Sequence, residues 1–185
     1  MLKEILSWLK TLVLAVIIAL VIRNHVFALY VVDGLSMQPT LADGEILIVN
    51  NFTYKFWKPE RGDIIVFKKE DITGTRQGNW LVGNNALVKR VIALPGDTVL
   101  IESGQVWVNG SPLAEEYIDF ELNGNYGPVT IEEGWLFVLG DNRHPGGSLD
   151  SRSFGPIPVS SVIGRADYII LPSPHRISMN RTNVL

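Results

Sequence analysis

The sequence predicts a mainly β protein, in which an N-terminal single transmembrane helix precedes an all-β, two-sheet, barrel-like domain. One long apolar run opens the chain. A series of short segments rich in valine, isoleucine and aromatic residues follows, and glycine, proline, asparagine and aspartate separate these segments. After the first run, no long stretch repeats its apolar residues at the 3.6-residue period of a helix.

The composition fits one globular domain with an appendage. The chain has 185 residues, and 46% of them are hydrophobic, which is enough for a core. Its 16 basic and 19 acidic residues give a net charge of -3, so we expect no nucleic-acid partner, because that binding needs a basic surplus. There is no cysteine, and the histidines, His25, His144 and His175, are far apart. We therefore expect no metal and no other cofactor.

Residues 1–25 are predicted to be a membrane anchor. The run ILSWLKTLVLAVIIALVI, residues 5–22, carries one charge, Lys10. As a helix it would rise about 27 Å, near the roughly 30 Å thickness of the hydrocarbon core of a bilayer. A cleaved secretory signal would end in a small-x-small site, which IRNHVFALY lacks, and an interfacial helix would be apolar on one stripe only. Lys3, Lys10 and the amino terminus precede the uncharged residues 11–22 and only Arg23 follows them closely, which favours a single-pass protein of the cell membrane with the later residues on the extracytoplasmic face.

Residues 26–172 are predicted to form the β domain. The expected strands are, in order, YVVDG, EILIVN, GDIIVFKK, ALVKRVIAL, DTVLIES, QVWVNG, PVTIEEG, WLFVLGDN and RADYIILP. The stretch VLIESGQVWVNG predicts a hairpin with Ser103 and Gly104 at its turn. Residues 110–128 are the least strand-like and are expected to leave the sheet core. Residues 173–185 form a polar tail.

The stretch DGLSMQPTL, residues 33–41, places Ser36 at a predicted bend between two strands. Pro39 restricts the backbone and excludes a helix through this point. A nucleophile elbow of the G-x-S-x-G type would need glycine in place of Gln38. From these residues alone, Ser36 is either a hydrogen-bonded loop residue or a nucleophile, and a nucleophile needs a base.

Two residues are candidates for that base. His144 lies in a loop-rich region, so a Ser-His-Asp triad is conceivable. The strand ALVKRVIAL is otherwise apolar on both faces, which predicts that Lys89, Arg90 or both bring a charged head into a dry region. A guanidinium stays charged, whereas desolvation can lower a lysine pKa to about 7 to 8. Lys89 is thus the candidate base, and the alternative is a buried stem whose head reaches water.

Four motifs in order behind the apolar run closely resemble the bacterial type I signal peptidases, also called leader peptidases. They are DGLSMQPTL at 33–41, GDIIVF at 62–67, KRVIALPGD at 89–97 and GDNR....S.DSR..G.IP at 140–158. The resemblance covers nearly the whole chain. It implies a membrane-bound serine endopeptidase that removes N-terminal signal peptides from exported preproteins, cutting after small-x-small, Ala-x-Ala-like sites.

The resemblance implies a Ser-Lys dyad and an acyl-enzyme mechanism. Ser36 would be the nucleophile, and a neutral Lys89 would be the general base. The partners would be exported preproteins and the lipid bilayer. The resemblance also implies a variable excursion from the catalytic β domain, at about residues 103–130.

Further residues are implied to support the dyad. Ser148 matches a serine that orients the lysine amine, but four residues separate it from Arg143 where the commoner pattern has two. Gly34 stands where some members carry a serine that donates a hydrogen bond to the oxyanion. In this chain the oxyanion would depend mainly on the backbone N–H of Ser36.

Ion pairs and substrate-pocket residues are also predicted around the dyad. Asp141 and Asp150 are expected to pair with Arg90 and Arg152, as structural ion pairs first. The predicted substrate-pocket residues are Val32, Met37, Leu87 and Val88.

Two alternatives stay open. Self-cleaving repressors of the bacterial DNA-damage response share a Ser-Lys β fold, but they carry a DNA-binding helical domain that residues 1–30 do not resemble. A membrane-tethered β module that binds an exported partner without chemistry would tolerate loss of Ser36 or Lys89, whereas a peptidase would not.

Overall fold

The N-terminal segment is helical and leads directly into the β domain. The structure, a computed structural model, describes residues 2–25, 27–52, 54, 58–68 and 86–179. Helix α1 spans Leu2–His25, and strand β1 spans Phe27–Val31. Across these described ranges, no helix combines the length and the apolar character that crossing a bilayer requires. The membrane-spanning role of residues 1–25 stays a prediction.

Most of the regular secondary structure described after α1 consists of short strands, so the mainly β prediction is confirmed. After β1 they are β2 Ile46–Asn50, β3 Ile64–Lys68, β4 Ala86–Ala93, β5 Thr98–Glu102, β6 Gln105–Val108, β7 Ser111–Pro112, β8 Tyr126–Thr130, β9 Trp135–Leu139, β10 Ile157–Pro158, β11 Val162–Leu171 and β12 His175–Arg176. Helix α2, Ser151–Phe154, precedes β10, and the 3-10 helix Val159–Ser161 follows it.

The strands form two sheets. The larger, eight-stranded sheet has the order β1-β2-β11-β3-β4-β9-β10, with β12 beside β11. The smaller, four-stranded sheet has the order β7-β6-β5-β8 and lies within the chain between β4 and β9. The predicted hairpin is confirmed, because Glu102 pairs with Gln105 and both turn residues, Ser103 and Gly104, have positive φ.

Several elements differ from the sequence prediction at their ends. Strand β1 ends at Val31, before Asp33 and Gly34, and the Gly34 N–H donates to Asp43 Oδ1 at 2.7 Å. Strands β7, β10 and β12 have two residues each, which is too short for any alternation to predict them. Lys69, from a predicted strand, and residues 180–185, from the predicted tail, lie outside the described residues.

The larger sheet carries apolar packing on both faces. On β3, Ile64 and Val66 belong to one core cluster, whereas Ile65 and Phe67 belong to another. A third cluster joins β4 and β9 to strands of the smaller sheet. The central strands β3 and β4 are therefore buried on both sides, which the sequence predicts for β4. A charged side chain that is buried on these strands needs a partner inside the protein.

Candidate active site

The larger sheet brings Ser36 and Lys89 together. Ser36 lies in the loop between β1 and β2, and Lys89 lies on β4, where it pairs with Ile65 of β3. Lys89 Nζ donates hydrogen bonds to Ser36 Oγ at 2.6 Å and to the Val88 carbonyl at 2.8 Å. Lys89 is only 2% exposed, so its amino group is buried and the alternative of an amino group that extends into water is excluded.

Burial changes the acidity of this amine. It lowers the pKa of Lys89 from its ordinary value of 10.5 to about 8, and the nearby carboxylates of Asp150 and Asp141 oppose the shift only in part. Near pH 8 a large fraction of the amine is therefore neutral, and its lone pair can accept a proton from the hydroxyl that it contacts.

Arg90, the next residue on β4, forms a buried ion pair with Asp141. The Arg90 Nε–Asp141 Oδ1 distance is 2.9 Å, the Nη2–Oδ2 distance is 2.6 Å, and neither side chain is exposed. Arg90 Nη1 also donates to the Gly62 carbonyl, and the Thr40 hydroxyl donates to Asp141. Because Thr40 belongs to the loop of Ser36, this ion pair ties that loop to the sheet.

Asp150 and Arg152 form a second ion pair beside the site. Arg152 Nε and Nη2 each lie 2.8 Å from an oxygen of Asp150, whose side chain is fully buried. Asp150 also caps α2 and accepts from the Gly140 N–H at 3.2 Å. It therefore joins the loop after β9 to helix α2.

The structure does not bring Ser148 into a hydrogen bond with Lys89. The Ser148 hydroxyl is buried and has no hydrogen-bond partner within the described residues. It lies against Gly140, where an added Cβ would come within 2.2 Å of Ser148 Oγ and 2.3 Å of the Ser36 carbonyl oxygen. Only glycine fits at position 140, because any side chain there would collide with the backbone carbonyl of Ser36.

A cavity of about 200 Å³ opens beside Ser36 and Lys89. Of the predicted pocket residues, Val32, Leu87 and Val88 line it. Met37 does not line the cavity, because its side chain is completely buried in the hydrophobic core. Other lining residues, none of them among the predicted pocket residues, are Tyr30, Leu47, Val66 and Ala86. Alternation along β1 could have indicated Tyr30.

Sequence reasoning also missed contacts from the segment before β8. Glu115 forms an ion pair with the buried Arg143 at 2.5 Å, and the Tyr117 ring lies 3.8 Å from the Arg90 guanidinium. His144 is half exposed and stands 3.6 Å from Asp119. Among the described residues, no cluster of histidine and acidic side chains could hold a metal ion.

Comparison with known proteins identifies the family. Residues 5–171 match the family model described as signal peptidase, peptidase S26. The chain belongs to this signal peptidase family. Membership of a peptidase family confirms the predicted resemblance and the prediction of an enzyme.

Relatives of this signal peptidase match along most of their length. Signal peptidase I S of Bacillus subtilis (strain 168) is 37% identical over 182 residues, which cover 92% of this chain and 91% of the relative. Signal peptidase I of Leptolyngbya laminosa is 41% identical over 164 residues, which cover 89% and 78%. The crystal structure of a signal peptidase I from Enterococcus faecalis V583 is 32% identical, covers 59% of this chain and 97% of that chain, and has a TM-score of 0.46.

Proposed function

We propose that this protein is a membrane-anchored serine endopeptidase that removes N-terminal signal peptides from exported preproteins. Ser36 is the nucleophile, and neutral Lys89 is the general base. The observation that carries the proposal is the 2.6 Å hydrogen bond between Lys89 Nζ and Ser36 Oγ, at an amine whose pKa burial lowers to about 8. The name signal peptidase I, which the relatives share, supports the choice of substrate.

The proposed reaction proceeds through an acyl-enzyme. Lys89 accepts the hydroxyl proton while Ser36 Oγ bonds to the scissile carbonyl carbon, and the Ser36 N–H stabilises the oxyanion that forms. The Lys89 ammonium then gives its proton to the departing amine as the C–N bond breaks. A water molecule, which Lys89 deprotonates, hydrolyses the ester, and the proton returns to Ser36.

An extended peptide is the expected substrate conformation. Strand β4 pairs with β9 only from Arg90 onward, so among the described strands the stretch Ala86 to Lys89 has β3 on one side alone. The open side can accept backbone hydrogen bonds from a substrate strand. The cavity lined by Val32, Leu87 and Val88 then receives small side chains such as those of alanine.

Helix α1 is proposed to hold the enzyme in the cell membrane, with residues 26–172 as the catalytic domain on the extracytoplasmic face. Large apolar side chains stand exposed along the helix, among them Trp8 at 77%, Leu12 at 61% and Ile17 at 51%. A bilayer would remove these side chains from water. The same attachment would keep the catalytic cavity near signal sequences in the membrane.

Cleavage of a preprotein tests the proposal directly. The purified protein, incubated with a preprotein that carries an Ala-x-Ala site, is expected to release a product whose new N-terminus directly follows the second alanine. Mass spectrometry of the product locates the cut. Ser36→Ala serves as the matched control and is expected to release nothing. Cutting by Ser36→Ala, or a cut unrelated to small residues, would contradict the proposal.

Deletion of residues 1–25 tests the proposed attachment. Anchoring raises the concentration of the enzyme around membrane-inserted substrate, so we expect deletion to slow cleavage of a vesicle-inserted preprotein about tenfold more than cleavage of a soluble peptide. The two rates are measured side by side for the full chain and the shortened chain. Equal losses on both substrates would show that α1 does not position the site.

A further inference from the structure

We infer that Asn142 is a positioning residue for the oxyanion contact. Its side-chain amide holds the Leu35–Ser36 peptide group, and this sets the direction of the Ser36 N–H. Asn142 Nδ2 donates to the Leu35 carbonyl oxygen at 3.0 Å, and the Asn142 backbone N–H donates to the Ser36 carbonyl oxygen at 3.1 Å. The inference rests on the proposed function.

One planar group links the Asn142 contact to the oxyanion donor. The Leu35 carbonyl and the Ser36 N–H belong to the same peptide unit, which is trans, so the C=O and N–H bonds point in opposite directions. A donor that fixes the carbonyl therefore also fixes the N–H. Within the described residues, the Ser36 N–H has no acceptor. It is free to donate to a substrate oxygen.

The Leu35 carbonyl has a second donor, and the two act together. The Gln38 N–H reaches the same oxygen at 3.1 Å across the turn of the loop. One hydrogen bond lets a peptide plane rotate about the donor–acceptor line, whereas two donors from different directions restrict that rotation. Asn142 supplies the second direction from outside the loop. Its loss would loosen the Ser36 N–H without unfolding the turn.

Asn142 is itself held rigidly by its neighbours in sequence. Asp141 is locked to Arg90, and Arg143 is locked to Glu115, in ion pairs that are almost completely buried. Breaking either pair would leave a charge without a partner, so this backbone segment has little freedom to move. The Asn142 side chain is accordingly presented in one place.

The hydrogen bonds also define the orientation of the Asn142 amide. Nδ2 faces a carbonyl oxygen, that of Leu35, which can only accept. Oδ1 accepts a hydrogen bond, 3.2 Å long, from the backbone N–H of His144, and a backbone N–H can only donate. The reversed amide would place like groups against each other at both ends. The donor therefore belongs on the Leu35 side.

The expected kinetic effect follows from when the oxyanion exists. Full negative charge develops on the carbonyl oxygen only in the transition state and tetrahedral intermediate, so a loosened donor affects kcat and leaves KM nearly unchanged. Asn142 carries no charge. Its replacement should therefore leave the pH dependence of the reaction where Lys89 sets it.

Asn142→Ala tests the inference in the full chain, with a peptide substrate that the parent enzyme cuts. We expect kcat to fall about tenfold, less than for outright loss of an oxyanion donor, with KM within about twofold of the parent value. The rising limb of kcat/KM should stay near pH 8. Affinity for a peptide aldehyde ending in alanine should fall in parallel with kcat/KM. Ser36 Oγ bonds to the aldehyde carbon and passes its proton to Lys89, which places the aldehyde oxygen in the oxyanion position.

Two further variants make the test specific. Asn142→Asp keeps the acceptor for the His144 N–H but loses the donor to Leu35, so we expect no rescue of kcat. Asn125→Ala removes an exposed asparagine of another loop and should match the parent enzyme. Rescue by Asn142→Asp, or a parent-level kcat in Asn142→Ala, would overturn the inference. Neither result would contradict the proposed function, because that function is tested by cleavage with the parent enzyme, which is measured in the same assay.

Discussion

Lys89→Met is expected to abolish processing while the domain stays folded. Methionine keeps an unbranched side chain in the buried position but cannot accept the Ser36 proton. Loss of a general base costs about two to four orders of magnitude in rate, and we expect the upper part of that range, because no other base contacts Ser36 Oγ among the described residues. The measurement is kcat/KM on a soluble peptide. Near-normal turnover would rule out Lys89 as the base.

The pH profile of the parent enzyme completes this test. Because the pKa of Lys89 is lowered to about 8, the neutral fraction grows as pH rises through that value. We expect kcat/KM to rise about tenfold per unit below pH 8 and to level off above it. A profile that is flat between pH 6 and pH 9, roughly the interval around this pKa, would contradict the assignment.

The same burial predicts a gain in stability in Lys89→Met. A lysine whose folded pKa is lowered from 10.5 to about 8 costs the folded state about 3 kcal/mol below pH 8, before lost hydrogen bonds are subtracted. The variant should therefore exceed the parent in free energy of unfolding at pH 7. Its advantage should shrink between pH 8 and 10.5, where the unfolded parent binds a proton that the folded parent does not. Denaturant titrations at the two ends of this window measure the difference.

Asp141→Asn is expected to lower the free energy of unfolding by about 3 to 5 kcal/mol, because it leaves the Arg90 guanidinium buried without an anion. Asparagine has the shape of aspartate, so packing is kept and the effect reports the lost charge. Urea titration of the parent and the variant measures it. Activity should fall as well, since Thr40 and Arg90 both bond to Asp141 beside the Ser36 loop.

Two controls separate charge burial from a general effect of removing an acid. Glu133→Gln removes one member of an almost fully exposed pair with Lys58 and should leave the unfolding midpoint unchanged. Arg90→Met combined with Asp141→Asn removes both buried charges and should recover most of the lost stability. A double variant as unstable as Asp141→Asn would show that the cost does not arise from an unpaired charge.

Much of the β architecture was predictable because it depends on local patterns. The apolar residues on both faces of β4 predict that this strand is buried on both sides, and the Ser103-Gly104 pair between two strand-like segments predicts the hairpin. The two-residue strands β7 and β10 could not be predicted, because two residues are too few to show an alternation of apolar and polar side chains. Met37 is a predicted pocket residue, but the loop turns its side chain into the core.

The order of the amino acids was enough to select Ser36 and Lys89 as candidates. A hydroxyl at a proline-restricted bend and an amine on a strand that is otherwise apolar are local features, but they leave open whether the amine is buried or reaches water. The contacts of each group were not local. That Lys89 Nζ meets Ser36 rather than Ser148, and that Asn142 holds the Leu35 carbonyl, depend on strand register and on the path of loops far apart in the chain. Long-range pairing sets both, and no short stretch of sequence encodes it.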